Sequence, residues 1–531
     1  MDLESRKKLM IYANARIPSP SKGMHLVDIV CDPINGFIVE MGGGAYIKSR
    51  FRGQRVEAVD LEGRWVMPGL TDCHVHFVGW CLMLSRPDLS RAGSLADCLQ
   101  VIRRHVARLR QAEWLIGTGW DKNLWSDGRL PHRSDLDRVC PQNPVALWSK
   151  DWHSLWLNST ALKILGVFGM SSGIKGGRIE RDGRGSPSGI LREEAANYFF
   201  RRIPPPSAET ALRAIAMGQQ RFHAIGLTGF HTMEGPQEYL WLHRVESQGK
   251  LRLRGVMYYR QQYLESLIGL GMPGGFGSRW LKIGGIKLFV DGSLGSQTAW
   301  LLKPYEHSRG RGMAVIAKSE LTAWVRRAAQ HGLACAIHAI GDAANRTALD
   351  AIQKAGLSGF RLRHRLEHCQ LVDPADIERF ASLGVIASVQ PGHCPADLDL
   401  VEKYWGSRGR FSYPYGSLQR AGAVLALGTD APIEDPDPWK NIQAAVTRQR
   451  IPPDRPPFHP EQALTIAQSV RAYTRGAALA SGDESWKGVL TPGMAADFIC
   501  LSHNIYQVRP EEIHRIRVER TVVGGEMVFG E

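Results

Sequence analysis

The run Trp65-Val-Met-Pro-Gly-Leu-Thr-Asp-Cys-His-Val-His-Phe77 joins an apolar segment to two histidines. The apolar residues predict a buried strand, which we place at 66–71. Because successive side chains of a strand point to opposite faces, His74 and His76 point the same way. Two imidazoles on one face at the end of a strand can hold one metal ion. A His-x-His pair is weak evidence by itself, so the interpretation depends on the rest of the chain.

Strand-like apolar runs alternate with helical patterns over most of the sequence. The runs that predict strands are 66–71, 227–232, 253–258, 283–290, 334–338, 362–368, 385–390 and 424–428. Helical patterns such as 321–331 and 343–355 lie between the later runs. This alternation predicts an α/β fold with a parallel sheet, and eight units predict a (β/α)8 TIM barrel. A doubly wound open sheet is the alternative, but no Gly-x-Gly-x-x-Gly turn follows the early strands.

Two further segments accompany the barrel, which we assign to residues 65–484. The chain ends, 1–64 and 485–531, contain short predicted strands and turns such as Gly524-Gly525. Neither end has enough apolar surface to fold alone, so we expect them to share one composite β-sandwich domain. About 150 residues separate the first two barrel strands, too many for a bare loop. We therefore predict a structured insertion at about 78–205.

The composition is that of a globular protein, with 44% hydrophobic and 22% charged residues. The first ten residues lack the apolar core of a signal peptide, and no apolar stretch is long enough to span a bilayer. Nine scattered cysteines without a Cys-x-x-Cys motif indicate reduced thiols. We expect a cytoplasmic protein. The net charge of +14 is spread along the chain, which argues against nucleic-acid binding.

Polar residues recur where the predicted barrel strands end. They are His74, His76, Lys287, His338, His368 and Asp430. In a barrel of this kind the carboxyl ends of the strands converge on one site. Taken singly, Lys287 is typical of a lysine at the edge of a core and Asp430 of a helix cap. Their joint occurrence at strand ends indicates a metal site.

With these motifs the chain resembles the amidohydrolase superfamily, and most closely its amidohydrolase-3 branch, which includes N-substituted formamide deformylase. The resemblance covers nearly the whole chain and implies a barrel with a composite β-sandwich. The shared motifs are Gly119-Trp-Asp121, Asp291-Gly-Ser293, His338-Ala-Ile-Gly-Asp342, Glu367-His-Cys-Gln370 and Gly428-Thr-Asp-Ala-Pro432. His231 departs from the pattern, because relatives tend to have a small or apolar residue there.

The resemblance also implies roles for the strand-end residues. The implied metal ligands are His74, His76, Lys287, His338, His368 and Asp430. Lys287 would bridge two metals after carboxylation by carbon dioxide, and an unmodified Lys287 would leave a single-metal site. The expected cofactor is therefore one or two divalent ions per chain, with zinc as the expected metal. Asp430 would also be catalytic, as acceptor of the proton of a metal-activated water.

Three residues of the insertion are candidate substrate contacts, although packing within the insertion explains them equally well. They are Trp120, Asp121 and His153. The leading functional hypothesis is a metal-dependent amidohydrolase that cleaves a non-peptide carbon–nitrogen bond in a small linear amide or formamide. A deaminase of an aminated heterocycle is one alternative, which Lys287 disfavours. A catalytically inactive regulatory protein is the other. We expect no nucleic-acid or membrane partner and leave a homodimer open.

Overall fold

A computed structural model describes residues 8–18, 26–107, 109–125, 128–151, 153–170, 174–356 and 362–530. The chain divides into two compact units. One unit consists of residues 79–215, and the other contains the remaining residues at both ends. Within the described ranges, every helix is too short or too polar to cross a membrane.

A parallel sheet of eight strands lies at the centre of the larger unit. Its strands pair in chain order, each with the next along the sequence, as in a (β/α)8 barrel. They are Leu70–Val75, Leu227–Thr232, Arg254–Arg260, Leu281–Phe289, Ala334–Ala339, Arg365–His368, Ile386–Val389 and Leu425–Leu427. The predicted barrel is confirmed, and its later strands lie where the apolar runs predicted them.

The helices of the larger unit follow the barrel strands. They include Pro236–Ser247, Leu264–Gly269, Lys318–Gln330, Asp342–Lys354, Ile377–Ser382, His393–Trp405, Tyr415–Arg420, Pro438–Thr447, Ile466–Arg471 and Ala477–Ser481, and Ala208–Ala224 precedes the second strand. Lys318–Gln330 shows why such segments are helical. Its buried residues are Leu321, Val325, Ala328 and Ala329, a spacing that forms one apolar stripe.

The strand predicted at 66–71 was placed too early. Residues Trp65–Pro68 pair with Phe498–Leu501 in a different sheet, and the first barrel strand begins at Leu70. Gly69 separates the two strands. A Cβ atom at Gly69 would lie 2.3 Å from the Thr228 side chain, so only glycine fits where the chain passes from one sheet to the other. His74 therefore lies inside the barrel strand and His76 just beyond its end.

The ends of the first and last barrel strands meet at Asp72. Its carboxylate accepts hydrogen bonds from the backbone N–H groups of His74, at 3.0 Å, and Thr429, at 3.1 Å. The Asp430 N–H donates to the His74 carbonyl oxygen at 2.6 Å. A Cβ atom at Gly428 would lie 2.4 Å from the His74 nitrogen, so this approach requires glycine. These contacts place Asp430 beside His74.

Both chain ends build a second sheet, as predicted. Its strands are Leu9–Arg16, Leu26–Asp32, Phe37–Gly42, Val56–Asp60, Trp65–Pro68, Phe498–Leu501, Val518–Val523 and Glu526–Phe529. Trp65–Pro68 lies between strands from the two ends and joins them. Gly524 and Gly525 have φ angles of 62° and 78°, which fit the predicted two-residue hairpin turn. The helix Gly44–Arg50, which we did not predict, follows the third strand.

The smaller unit is the insertion that was expected after the first barrel strand. Its strands are Leu115–Trp120, Val145–Ser149, Ser154–Leu157, Gly177–Arg181 and Pro187–Glu193, and its helices include Leu95–Val106, Arg133–Asp137, Ser159–Ile164 and Glu194–Phe200. The five strands form one sheet. The last two strands pair antiparallel within a Gly-rich segment. The domain bounds at 64 and 484 stay predictions.

Candidate metal centre

Three of the predicted ligands come together at one end of the barrel. The ligand atoms of His74, His368 and Asp430 all lie within 4.8 Å of one another, and all three residues are buried. The His74 Nε2 atom is 3.4 Å from Asp430 Oδ1, and His76 Nε2 is 3.6 Å from the same oxygen. The His74 and His368 ring centroids are 4.9 Å apart. An ion could contact several of these donors, since metal–nitrogen bonds to zinc measure about 2.0–2.1 Å.

His74 is oriented by a buried ion pair. Its Nδ1 atom is 2.6 Å from Glu367 Oε2, and the Glu367 carboxylate is also held by the Arg365 guanidinium. Burial by itself raises the pKa of Glu367, but Arg365, His74 and Lys287 together outweigh burial and hold that pKa well below its ordinary value. The ionised carboxylate accepts the Nδ1 proton. His74 Nε2 is then the nitrogen that carries a lone pair toward Asp430.

Each of the three nitrogens of the Arg365 guanidinium has a hydrogen-bond partner. It donates to the Cys73 carbonyl oxygen and the Ser388 hydroxyl, and its Nη1 atom is 2.9 Å from His231 Nδ1. His231 thus serves as an acceptor for Arg365, which gives a local reason for an imidazole at this position. A buried guanidinium without such partners would be strongly destabilising.

Two further histidines each have one ring nitrogen tied down. His338 donates from Nε2 to the Gly292 carbonyl oxygen at 3.0 Å, and His368 donates from Nδ1 to Gln390 Oε1 at 2.8 Å. Their ring centroids are 4.6 Å apart. Burial lowers the pKa of His338 to about 3 and holds the pKa of His368 well below its ordinary value. Both rings are therefore neutral at pH 7, and each keeps one free lone pair.

Lys287 lies on the fourth barrel strand with its ammonium group out of water. The residue is 3% exposed, and Nζ has no hydrogen-bond partner among the described residues. Burial lowers the pKa of Lys287 to about 8, against the opposing pull of Glu367 and Asp430. Part of the population is therefore an uncharged amine near neutral pH, which is the form that can react with carbon dioxide.

The backbone at the site is unusual at two of the predicted ligands. His368 has a φ angle of 74° and Asp430 one of 62°, both in the left-handed region that non-glycine residues rarely adopt. At His368 this conformation interrupts the alternation of the strand, and Glu367 and His368 both contact His74. Such backbone outliers cluster at functional sites. Burial also raises the pKa of Asp430 to about 7, within the range useful for proton transfer.

The donor set fits a divalent metal ion. A zinc-type site is expected to have neutral imidazoles whose second ring nitrogen is hydrogen-bonded, together with a nearby carboxylate. The site has both, and it also has the buried amine of Lys287, which lacks a hydrogen-bond partner among the described residues. His74, His368 and Asp430 form the tightest group, while His76, His338 and Lys287 lie around it. Residues able to hold a cation are thus present, as the sequence predicted.

Sequence reasoning missed several residues at this site. They are Arg365, Glu367, Gln370, Gln390 and His393. The sequence contained a signal for Arg365 and Glu367. They lie two residues apart on one strand, so their side chains point to the same face, and both are buried. We assigned a role only to the histidine that follows them.

The three candidate substrate contacts lie in the smaller unit, each with partners of its own. Trp120 is buried and donates from Nε1 to the Leu147 carbonyl oxygen. Asp121 accepts from the Asn123 N–H and caps a short 3-10 helix. His153 is exposed and lies 2.9 Å from Glu193. These contacts explain the three residues as packing and capping groups, and their role toward substrate stays a prediction.

The chain is similar in sequence and fold to known proteins. The amidohydrolase family model matches residues 57–529. Protein LONG AFTER FAR-RED 3 of Arabidopsis thaliana is 33% identical over 513 residues, covering 93% of this chain and 87% of that protein. N-substituted formamide deformylase of Arthrobacter pascens is 27% identical over 493 residues, covering 89% of this chain and 90% of that protein. An uncharacterized metal-dependent hydrolase from Pyrococcus furiosus has a crystal structure that matches with a TM-score of 0.81 at 28% identity, covering 94% of this chain and 100% of that chain.

Proposed function

The chain belongs to the amidohydrolase family, and we propose that it is a metal-dependent hydrolase of a carbon–nitrogen bond in a small linear amide or formamide. The observation that carries the proposal is the group of His74, His368 and Asp430, with ligand atoms within 4.8 Å of one another. The similarity to a formamide deformylase supports the choice of bond. The cysteines are buried and scattered along the chain, which supports a location in a reducing compartment, the cytoplasm.

The site residues would divide the work between holding a metal and moving a proton. His74, His76, His338, His368 and Asp430 would hold the metal. The metal, when bound, lowers the pKa of water from 15.7 to about 7 and polarises a carbonyl group. Asp430 accepts the proton of the attacking water and delivers it to the leaving nitrogen, for which a pKa of about 7 is suited.

Lys287 would supply a further anionic ligand. Its neutral Nζ attacks the carbon of carbon dioxide, a carbon–nitrogen bond forms, and the amine proton passes to solvent. The product would be a carbamate, which would give the metal site an anionic oxygen ligand. The Nζ atom is buried with no hydrogen-bond partner among the described residues, which supports this assignment. The same lysine disfavours a deaminase.

Elemental analysis tests the metal requirement. Protein produced with added zinc should contain one or two zinc ions per chain, a chelator should abolish turnover, and zinc should restore it. Almost no bound metal after growth in zinc would contradict the proposal.

A substrate screen tests the reaction class. The zinc-loaded enzyme should release amine from N-alkylformamides or from linear N-acyl amides, and should leave cyclic imides and aminated heterocycles unchanged. Release of ammonia from an aminated heterocycle would favour the deaminase instead. A protein that binds zinc but hydrolyses none of these compounds would favour the inactive regulatory protein.

A further inference from the structure

An imidazole outside the predicted ligand set also faces Asp430. His393 follows the seventh barrel strand and is the first residue of the helix His393–Trp405. The residue is 8% exposed, and its Nε2 atom is buried without a hydrogen-bond partner among the described residues. Buried polar atoms are rarely left in this state, and each exception calls for an explanation.

The ring of His393 is fixed in place by its surroundings. Gln370 donates from Nε2 to His393 Nδ1 at 3.2 Å, which puts the ring proton on Nε2. The ring lies nearly parallel to that of His368, with an angle of 14° and a centroid distance of 6.0 Å. The loop before it is held by a hydrogen bond from the Gly392 N–H to Asn441. His393 is therefore a rigid donor rather than a mobile side chain.

Among the described residues, the Nε2–H group of His393 has no acceptor at hydrogen-bonding distance, and the carboxylate that it faces is slightly too far away. Asp430 Oδ2 lies 3.8 Å away, which is too long for a hydrogen bond. A separation of this size leaves room for a third atom that both groups contact.

We propose that His393 is a further catalytic residue, whose Nε2–H donates a hydrogen bond to the carbonyl oxygen of the substrate beside Asp430. The bond strengthens as negative charge develops on that oxygen, because a fixed donor in a buried site needs no reorganisation. This inference rests on the proposed function, since it requires a substrate that contains a carbonyl group. It assigns His393 to the substrate and Asp430 to the water and the leaving nitrogen.

Two substitutions distinguish the effect of losing the N–H donor from the effect of changing the volume of the side chain. His393→Leu removes the N–H group, whereas His393→Gln places an amide N–H near the position of Nε2. His364→Leu is the matched control. His364 is also a buried histidine with an unpartnered Nε2, but it precedes the strand Arg365–His368 and so lies at the end of the barrel away from the site.

Turnover and ligand binding are measured on the zinc-loaded proteins. For the amide that the wild type hydrolyses, His393→Leu should lower kcat about 100- to 1,000-fold, as expected for loss of one oxyanion donor. KM and zinc content should change little, and His393→Gln should recover part of kcat. Methylphosphonate, whose tetrahedral anion resembles the reacting centre, should bind more weakly to His393→Leu and be partly restored in His393→Gln. The His364→Leu control should change the melting temperature but not kcat or phosphonate binding.

Three outcomes would overturn the assignment. His393→Leu could keep the wild-type kcat and phosphonate affinity, His393→Gln could be no better than His393→Leu, or His393→Leu could lose its zinc, which would make His393 a metal ligand. If His393→Leu does not fold, His393→Phe replaces it, because a phenyl ring keeps the stacking without a donor. The wild type could hydrolyse no amide and still bind methylphosphonate, with the affinity lost in His393→Leu and kept in His364→Leu. That result would overturn the proposed function but would support His393 as a hydrogen-bond donor to a bound ligand.

Discussion

The two sides of the candidate metal centre differ in how completely their polar groups are paired. On the paired side, His74, Glu367 and Arg365 form a continuous chain of hydrogen bonds, and none of the Arg365 and Glu367 surface is exposed. On the open side, Lys287 Nζ and His393 Nε2 have no hydrogen-bond partner among the described residues, and Asp430 lies between the histidines at 3.4–3.8 Å. Both sides are buried.

This difference separates the residues that hold the site in one arrangement from the residues available to bind a metal or a substrate. A fully satisfied buried network holds its members in one arrangement, because every alternative leaves a charge unpaired. Groups without partners are free to bind a metal, carbon dioxide or a substrate. We therefore expect substitutions on the open side to change turnover most, and substitutions on the paired side to change metal affinity and stability.

The largest effect is expected for Asp430→Asn. The amide keeps the shape but cannot accept a proton, so kcat should fall about 100- to 10,000-fold, the range for loss of a general acid–base group. Zinc content must be measured on the same sample, because Asp430 is also a proposed ligand. Asp435→Asn is the matched control, since Asp435 is an exposed carboxylate that pairs with Lys440; its kcat should stay close to the wild-type value. Near-normal turnover of Asp430→Asn at saturating zinc would mean that another group moves the proton.

Lys287→Ala should come next. Loss of the proposed bridging ligand should remove one zinc ion per chain and lower kcat by about 100-fold or more, since a charge-stabilising group at the reacting centre would be lost. Added short carboxylic acids should restore part of the activity by occupying the vacated space. Lys282→Ala is the control, because Lys282 is the second residue of the same strand but pairs with Asp483 at 2.6 Å. It should lower stability and leave the zinc content intact. Unchanged metal and activity in Lys287→Ala would show that Lys287 is structural.

Glu367→Gln tests the paired side. The uncharged amide of this variant cannot satisfy the proton of His74 and the Arg365 guanidinium together, so zinc affinity should fall about 10- to 100-fold, the usual effect of losing a group that orients a ligand. Breaking the buried pair should also lower the free energy of unfolding by about 3–5 kcal/mol. Zinc titration and denaturant unfolding measure the two effects. A variant with wild-type zinc affinity would mean that His74 does not need Glu367 for its orientation.

The smallest effect is expected for His153→Ala in the insertion. The His153–Glu193 pair is exposed on both sides, and such pairs contribute about 0–1 kcal/mol. Thermal unfolding should therefore change little. If His153 contacts the substrate, KM should rise while kcat and zinc content stay unchanged. An unchanged KM would assign His153 to the surface of the insertion alone.

The sequence predicted the fold well because its signals are local. Apolar runs of strand length, separated by helical stripes such as Leu321 to Ala329, appear directly in the order of residues. The same holds for Gly524-Gly525, since two adjacent glycines favour a hairpin turn wherever they occur. The candidate ligands were found by the same means, as polar residues at the ends of those runs.

The error at 66–71 had a different origin. Trp65–Pro68 and Leu70–Val75 are both apolar and are separated only by Gly69, so one pattern covers two strands of two sheets. The partner of Trp65–Pro68 is Phe498–Leu501, which lies near the other end of the chain. No local property of residues 65–75 identifies that partner.

By itself, then, the sequence determined the order of strands and helices, the barrel and the residue types available at its strand ends, because periodicity and composition are properties of neighbours along the chain. Only the tertiary structure decided which of those residues are paired and which are open. His74 meets Glu367 across 293 positions, and Asp430 meets His74 because Gly428 allows the last strand to approach the first. Burial, charge pairing and ring orientation depend on such contacts. The difference between the paired side and the open side therefore exists only in the folded barrel.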